Sequence, residues 1–504
     1  MKKKFEIGRI FRILSGLLVL TIFTSQCFSQ SPAKSTNENS ARQYGELLSG
    51  LLQFVQSNYV DEVDPAVLYR GALKGMMESL GDPYTVYLDQ SSYRSLSDTT
   101  EGTFGGVGLS ISKPFESTPD KPAYIEVASP IEDTPGYKAG ILAGDLIISV
   151  EGIDTSTITM DEVLDKLRGK VGEDVHIVIR RGKNMEFPVT LTRAVIEVPV
   201  VKYGMIGSIG YMRLIEFTPN TVTRVQEALD SFKKNKATGL IIDLRNNPGG
   251  LITSVSDIAN KFIDSGVIVS TKSRLAFENQ EFKASKMKTT WGSSTPIVVL
   301  INKGSASASE ILSGALKDYK LAYLVGQRTY GKGSVQQVLP LSSTDGIKLT
   351  MARYYTPSDV NIDKIGIPPD REILFPVLSE EGEKQSLELI KSNEIETYVE
   401  NHPNMSEKQI AEYANVLKAK YPDIDSASLR KLVRNQNNRL KGAMLYDLDY
   451  DVQLNEALKI LEKEDFYKLV KKTKTLKQLQ DEAILEDSSK DGNSSKDDKK
   501  GKKK

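Results

Sequence analysis

Gly239-Leu240-Ile241-Ile242-Asp243-Leu244 is a short, almost continuous apolar run, and it leads through Arg245 into the turn Asn246-Asn247-Pro248-Gly249-Gly250. Strands that are buried on both faces of a parallel sheet have this composition, whereas strands with one solvated face alternate between apolar and polar residues. A helix is predicted to follow at Ser254–Ile263. The succession of strand, tight turn and helix predicts an α/β fold, with functional residues at the carboxyl ends of its strands.

The same organisation recurs on both sides of this run. A strand is predicted at Ile206–Phe217 and a helix at Val222–Lys234, and two more buried strands are predicted at Pro296–Ile301 and Ala322–Val325. Strands that alternate with helices at this spacing are typical of a parallel sheet. The loops that follow the last two strands contain the residues with the clearest chemistry.

Ser307 lies in the first of these loops, within Gly304-Ser305-Ala306-Ser307-Ala308-Ser309-Glu310. A helix is predicted to begin there, and its free N–H groups and positive dipole end favour an adjacent anion. The N–H of Ala308 is therefore a candidate oxyanion donor, and a second donor is expected from Gly249 or Gly250. Serines also cap helices, so this segment alone leaves catalysis and capping equally open.

Lys332 lies in the second loop, between two glycines and 25 positions after Ser307. A Ser-His-Asp triad is not indicated, because one of the two histidines, His176, lies in a predicted strand and the other, His402, in a polar helical segment. The single cysteine, Cys27, lies in a predicted targeting segment. A serine activated by lysine is the option left, and it requires that the lysine pKa fall well below about 10.4. A phosphate-binding lysine is the alternative, but the glycine spacing of a P-loop is absent.

Residues 104–193 have a different pattern. The glycine-rich segment Gly105-Gly106-Val107-Gly108-Leu109 is predicted to turn into an alternating strand, and a helix at residues 160–167 and paired strands at Val175–Arg180 and Phe187–Leu191 follow. This order of features resembles a PDZ domain. The N–H groups of residues 105–109 could hold the carboxylate of a substrate C-terminus, while the adjacent strand edge accepts an extended peptide.

Three motifs resemble those of the carboxyl-terminal processing proteases: Asp243-Leu244-Arg245-Asn246-Asn247-Pro248-Gly249-Gly250, Ser305-Ala306-Ser307-Ala308-Ser309-Glu310 and Gly331-Lys332-Gly333-Ser334-Val335-Gln336. The resemblance covers residues 44–370 and implies a serine-type endopeptidase that needs no metal or cofactor. It implies that Ser307 is the nucleophile, Lys332 the general base and Gln336 the residue that orients the lysine. Residues 358–362 depart from the family pattern, which is more basic there.

The expected fold class is α/β, with a crotonase-like protease core, an inserted PDZ domain, an N-terminal helical segment and a C-terminal helical extension. The predicted organisation is a signal peptide (1–30), a linker and helical segment (31–103), the PDZ domain (104–193), the Ser/Lys protease core (194–375), the helical extension (376–486) and a disordered charged tail (487–504).

The N-terminus predicts export. Five basic residues lie among the first twelve, and they precede the apolar run Ile13–Phe23, which has the layout of a secretory signal peptide. The run is only about half of the ~20 residues that a membrane span needs. A periplasmic or cell-envelope location is therefore expected. An uncleaved membrane anchor and lipid attachment at Cys27 are the alternatives.

Charge and composition limit the partners. The 66 basic residues balance 66 acidic ones, so the chain lacks the basic surplus of a nucleic-acid binder. Protein or peptide substrates with free C-termini are expected, which the enzyme would cleave near that end after capture by the PDZ domain. Membrane association and homo-oligomerisation stay open. A catalytically silent envelope scaffold would predict a substituted dyad, and a cytoplasmic tricorn-type peptidase would predict no export signal.

Overall fold

The structure is a computed structural model, and it describes residues 37–485 except 91, 95, 97–102, 115–121, 132, 143, 183–184, 198, 376–377 and 439–443. The predicted signal peptide, with Cys27, and the predicted charged tail lie outside the described residues. The chain divides into two units at the boundary between Tyr87 and Leu88, and each unit is treated by itself. No helix among the described residues has the length and apolar character that a membrane crossing requires.

The described part of the first unit consists mainly of two helices, α1 (Asn37–Asn58) and α2 (Pro65–Glu78). The second helix begins after Asp64, whose carboxylate accepts a hydrogen bond of 2.9 Å from the main-chain N–H of Ala66. Both helices were predicted. The prediction of helix throughout this region is wrong at strand β1 (Val86–Leu88), where β-branched and aromatic side chains favour extended backbone.

The region with the PDZ-like pattern forms a small antiparallel domain. Strands β3, β4, β5, β7 and β8 adjoin in that order, β6 pairs with β5, and β2 pairs with β9. Helix α4 begins in a capping box, because Glu162 accepts from the N–H of Thr159 and donates its own N–H to the Thr159 hydroxyl. The elements are β2 (Thr103–Gly106), β3 (Leu109–Ser112), β4 (Ile125–Pro130), α3 (Pro135–Lys138), β5 (Leu146–Val150), β6 (Ile153–Asp154), α4 (Met160–Leu167), β7 (Asp174–Arg181), β8 (Met185–Thr192) and β9 (Ala194–Glu197).

The predicted α/β core contains two sheets. Its elements are β10 (Val201–Ile206), β11 (Ile209–Leu214), α5 (Pro219–Lys234), β12 (Gly239–Asp243), α6 (Ile252–Ala259), β13 (Val267–Ser273), β14 (Gln280–Lys283), β15 (Ile297–Ile301), α7 (Ala308–Asp318), β16 (Ala322–Gly326), β17 (Ser334–Pro340), β18 (Gly346–Tyr355) and β19 (Arg371–Glu372). Two short 3-10 helices occupy Ala276–Glu278 and Lys286–Lys288.

The larger sheet follows the order β10-β11-β12-β15-β16-β19, and every pair in it is parallel except β10 with β11. The strand predicted over Ile206–Phe217 is present as the shorter β11. Gly207 adopts a positive φ of 57° and turns the chain from β10 into β11, so Ile206 belongs to the preceding strand of a hairpin. The second sheet contains β13, β14, β17 and β18 in antiparallel pairs.

The C-terminal extension is helical, as predicted. The first four of its named helices pack around a core of their own, and the next two return to the larger sheet. These six helices are α8 (Glu380–Lys391), α9 (Glu394–Asn401), α10 (Glu407–Lys420), α11 (Ser426–Asn437), α12 (Val452–Lys463) and α13 (Phe466–Lys472), and residues 476–485 are helical as well.

The larger sheet is buried on both faces. Leu240 and Ile242 pack among side chains of α5, α6 and α7 on one face. Ile241 points the opposite way and packs with Leu454 and Phe466 from α12 and α13. The run quoted first is therefore a doubly buried strand, and helices from the carboxyl end of the chain cover one of its faces.

Candidate active site

Ser307 lies at a strained turn between β15 and α7. Its φ of 53° and ψ of −114° are unusual for a residue with a β-carbon, and such strain persists only where the surroundings fix it. A strained strand-to-helix turn also presents the nucleophilic serine of α/β-hydrolases. Ser307 is partly exposed, whereas its neighbours Ala306 and Ala308 are buried. The turn thus exposes part of Ser307 within a segment, residues 305–310, whose other residues are buried.

The other two serines of the motif are buried and have acceptors in the neighbouring loop. Ser305 donates its hydroxyl to the carbonyl oxygen of Leu244 at 2.8 Å, and Ser309 donates to that of Asn247 at 3.0 Å. Both are fully buried. They connect the start of α7 to the loop after β12, and among the three serines only Ser307 faces solvent.

Glu310 joins the two loops that contain the proposed dyad. One carboxylate oxygen accepts from the main-chain N–H groups of Ser307 and Lys332, each at 2.9 Å. The other accepts from Gly331 N–H at 2.8 Å and from the Thr329 hydroxyl at 2.5 Å. Because the main-chain nitrogens of Ser307 and Lys332 donate to the same oxygen, the distance between them cannot exceed twice 2.9 Å. Burial raises the pKa of Glu310, and the four hydrogen bonds oppose that rise.

The glycines beside Lys332 allow its loop to pack closely. A β-carbon on Gly333 would lie 2.5 Å from the main-chain nitrogen of Asp363, and Gly331 has a φ of 90°. Asn361 donates its side-chain amide to the carbonyl oxygen of Gly333 at 3.1 Å. Asn361 belongs to residues 358–362, which depart from the family pattern. This segment therefore contacts the loop of Lys332 through a hydrogen bond from Asn361.

Gln336 lies on β17, where its amide nitrogen donates to the hydroxyls of Ser334 at 2.9 Å and Thr350 at 3.3 Å. These bonds assign the donor end of the amide. The carbonyl end is then the one that can accept a hydrogen bond from an amine. This orientation suits the role that the resemblance implies for Gln336 beside Lys332.

The loop after β12 packs directly against Ser307. A β-carbon on Gly249 would lie 2.8 Å from the β-carbon of Ser307. The N–H of Gly249 already donates to the side-chain oxygen of Asn247 at 2.9 Å. Among the described residues, none accepts a hydrogen bond from the N–H of Ala308 or of Gly250. Of the three candidate oxyanion donors, these two have N–H groups available.

The glycine-rich segment of the PDZ-like region differs from its prediction. Gly105 and Gly106 lie within β2, opposite Val195 and Ala194, and the loop before β3 consists of Val107 and Gly108 alone. The prediction of a turn at Gly105 is wrong. Glycine is needed there because the main chain of Gly169 packs closely against it: a β-carbon on residue 105 would lie 2.3 Å from the carbonyl oxygen of Gly169.

A groove lies between β3 and α4. Its volume is about 160 Å³, and it is lined by Phe104, Gly106, Val107, Gly108, Leu109, Ile111, Met160, Leu164, Leu167 and Arg168. The guanidinium of Arg168 lies over the ring of Phe104, at 4.8 Å from the ring centroid. Four of the five residues predicted to bind the substrate C-terminus, all except Gly105, line this groove.

No group of three or more His, Cys, Asp or Glu side chains among the described residues is arranged to hold a metal ion. The proposed nucleophile, the proposed base and the candidate oxyanion donors lie in three loops. These loops follow β12, β15 and β16, which are adjacent parallel strands, so their carboxyl ends lie at one edge of the sheet.

Three segments match known protein families. Residues 208–373 match Peptidase family S41, and residues 126–181 match the PDZ domain. Residues 21–92 match the family described as the Activating protease CtpB N-terminal domain. These matches confirm the predicted serine-type peptidase and the predicted PDZ domain.

Similar proteins cover most of the chain. The carboxy-terminal-processing protease of Bartonella bacilliformis is 37% identical over 366 residues, which cover 71% of this chain and 82% of that protein. The carboxy-terminal processing protease CtpA of Bacillus subtilis is 31% identical over 375 residues, 74% of this chain and 78% of that protein. Among solved structures, the photosystem II D1 C-terminal processing protease is 30% identical to this chain, with a TM-score of 0.38. The match covers 65% of this chain and 92% of the chain of that protease.

Proposed function

This chain belongs to the family of carboxy-terminal-processing proteases, and on that premise we propose that it is an exported endopeptidase with a Ser307–Lys332 dyad. It cleaves proteins near their C-terminus after the PDZ domain has captured the substrate tail. The single observation that best supports the dyad is that one carboxylate oxygen of Glu310 accepts hydrogen bonds from the main-chain N–H groups of both Ser307 and Lys332.

The proposed reaction is serine acyl transfer. The Ser307 hydroxyl attacks the scissile carbonyl while the Lys332 amine takes its proton, and the N–H groups of Ala308 and Gly250 stabilise the oxyanion. Lys332 then protonates the leaving amine, and a water molecule that Lys332 deprotonates hydrolyses the acyl-enzyme. The carbonyl oxygen of Gln336 orients the amine throughout.

The electrostatic setting supports this assignment. Ser307 directly precedes the first turn of α7, where the positive end of the helix dipole favours an alkoxide and disfavours a nearby ammonium. The first effect favours the alkoxide that forms as Ser307 loses its proton. The second favours the neutral form of the Lys332 amine, which is the form that can accept this proton. The same end of the helix presents the Ala308 N–H to the developing oxyanion.

Capture by the PDZ groove should make the rate depend on the chemistry of the substrate's C-terminus. A peptide that ends in an apolar residue with a free carboxylate is expected to be cleaved about tenfold faster than the same peptide amidated, a difference of roughly 1.4 kcal/mol. Cleavage of the two peptides, followed by mass spectrometry, measures this ratio and maps the cut site. Equal rates for the acid and the amide would contradict capture of the C-terminus.

A groove variant separates capture from chemistry. Leu164→Glu places a negative charge in the apolar groove, and it is expected to abolish the preference for the free acid. Asp161→Asn, on the exposed side of the same helix, serves as the matched control and should retain it. If the wild-type protein cleaves neither peptide, the silent-scaffold alternative is favoured instead.

Export is tested at the N-terminus of the mature protein. Signal-peptide cleavage is expected to leave a chain that begins within a few residues of Ser31, because small and polar residues follow the apolar run there. N-terminal sequencing of protein from the cell envelope measures this directly. Intact Met1 in the membrane fraction would favour the uncleaved anchor.

A further inference from the structure

Arg245 connects the loop after β12 to a second, distant segment of the chain. Its guanidinium makes two hydrogen bonds to Asp243, at 2.9 and 2.7 Å, and two to Asp451, at 2.8 and 2.6 Å. The side chains of Arg245 and Asp451 are only 11% and 15% exposed. A buried guanidinium requires such partners, and removal of one of them from a buried ion pair is strongly destabilising.

Asp451 belongs to residues 444–485, which we call the C-terminal arm. It caps α12, since its carboxylate accepts from the main-chain N–H of Leu454 at 3.0 Å, and the positive end of that helix stabilises its charge. The neighbouring Gln453 accepts from Arg245 at 3.1 Å and donates to the carbonyl oxygen of Ile373 at 2.7 Å. Three groups of the protein therefore surround one guanidinium.

The arm also contacts the helix that begins at Ser307. The main-chain N–H of Leu476 donates to the carboxylate of Asp318, the last residue of α7, at 2.8 Å. Helix α12 lies between these contacts and packs on the sheet through Leu454 and Ile460. The arm thus touches both elements that supply candidate oxyanion donors.

Arg245 is placed to fix the path of the oxyanion loop. Its own main-chain N–H donates to Asp243 at 3.0 Å, and the carbonyl oxygen of the preceding Leu244 accepts from Ser305. Only four residues separate Arg245 from Gly250. Burial lowers the pKa of Arg245, but the two aspartates outweigh this and raise it, so the guanidinium stays charged.

We propose that Asp451 is a positioning residue for catalysis. By holding Arg245 against Asp243, the C-terminal arm fixes the loop that presents the Gly250 N–H beside Ser307. The arm lies beyond the segment that matches Peptidase family S41, yet it forms part of the same catalytic unit. This proposal rests on the proposed function and adds a residue to it.

The test compares Asp451→Asn with wild type in the full-length chain. Asparagine caps a helix as well as aspartate does, so this substitution removes the negative charge that faces Arg245 with little effect on α12. We expect kcat for the free-acid peptide to fall about 10- to 100-fold, the effect of a small displacement at the reacting centre, with KM changed less than about twofold. Hydrogen exchange of the main-chain amides at residues 244–251 should become faster.

Glu464→Gln is the matched control. Glu464 follows the other end of α12 and pairs with Arg371 at 2.7 Å, so its loss weakens the seating of the helix but leaves Arg245 untouched. It should lower the melting temperature with kcat and loop exchange near wild type. Wild-type kcat and unchanged loop exchange in Asp451→Asn would overturn the proposal, as would an equal loss of kcat in both variants. If the wild-type chain cleaves no peptide, the proposed function fails, and loop exchange alone decides the role of Asp451.

Discussion

Replacing Ser307 with alanine is expected to lower the hydrolysis of a denatured protein substrate by about 10⁴- to 10⁶-fold, and Lys332→Ala should have a similar effect. The two residues act as one unit, because the alkoxide forms only if the amine takes its proton. The double variant should therefore be no slower than either single variant. The initial rate of peptide release, measured by mass spectrometry with each purified variant, tests this expectation.

The controls distinguish lost chemistry from lost structure. Ser313→Ala, which removes a buried hydroxyl farther along the same helix, should keep wild-type hydrolysis. Ser307→Gly should be as inactive as Ser307→Ala but melt at a higher temperature, because glycine relieves a strain of about 1–3 kcal/mol at this φ. Substantial cleavage by the Ser307→Ala protein would refute the assignment of the nucleophile.

Glu310→Gln is expected to lower kcat by about 10²- to 10³-fold, although Glu310 need not touch the substrate. The carboxylate accepts four hydrogen bonds, whereas an amide must direct its NH₂ group at donors on one side. Either the N–H groups of Ser307 and Lys332 or the N–H group of Gly331 then loses its acceptor, at a cost of about 1–3 kcal/mol for each group. The two loops should move apart, and displacement of this kind is costly for catalysis.

Thr329→Val provides a graded comparison for that result. It removes one of the four hydrogen bonds but neither of those from Ser307 and Lys332. Its melting temperature should fall, because the hydroxyl also accepts from the N–H of Ile367, while kcat stays within about tenfold of wild type. A Glu310→Gln protein that retains wild-type kcat would show that the dyad is positioned without this carboxylate.

The sequence predicted the parts of the fold that local composition determines. The doubly buried strand at residues 239–243 and the helices around it follow from apolar runs and their periods. The hairpin at Gly207 was not predicted, because β10, with Lys202, Tyr203 and Gly204, lacks the apolar run that indicated the other strands of this sheet. The second sheet, with β13, β14, β17 and β18, was not predicted either, because its partly exposed strands lack a continuous apolar run.

In the site, too, local sequence motifs predicted some residues, whereas others depend on contacts between distant parts of the chain. The positions of Ser307 and Lys332 were predicted from motifs in two separate loops. No role was predicted for Glu310, although Ser307 and Glu310 have the serine-x-x-glutamate spacing of a capping box, which could have identified it. Asp451 gave no such signal, because its contact with Arg245 spans 206 positions and depends on how α12 packs on the sheet.

Helices α12 and α13 cover one face of the larger sheet, and this has a consequence for how the protein folds during its synthesis. During synthesis, β12 emerges about 200 residues before α12, so Ile241 and the adjacent side chains Val298 and Leu300 have no partner layer until the chain is nearly complete. Such apolar surface attracts chaperones and exposes a chain to aggregation. The same delay means that a chain truncated before α12 would leave this face of the larger sheet uncovered.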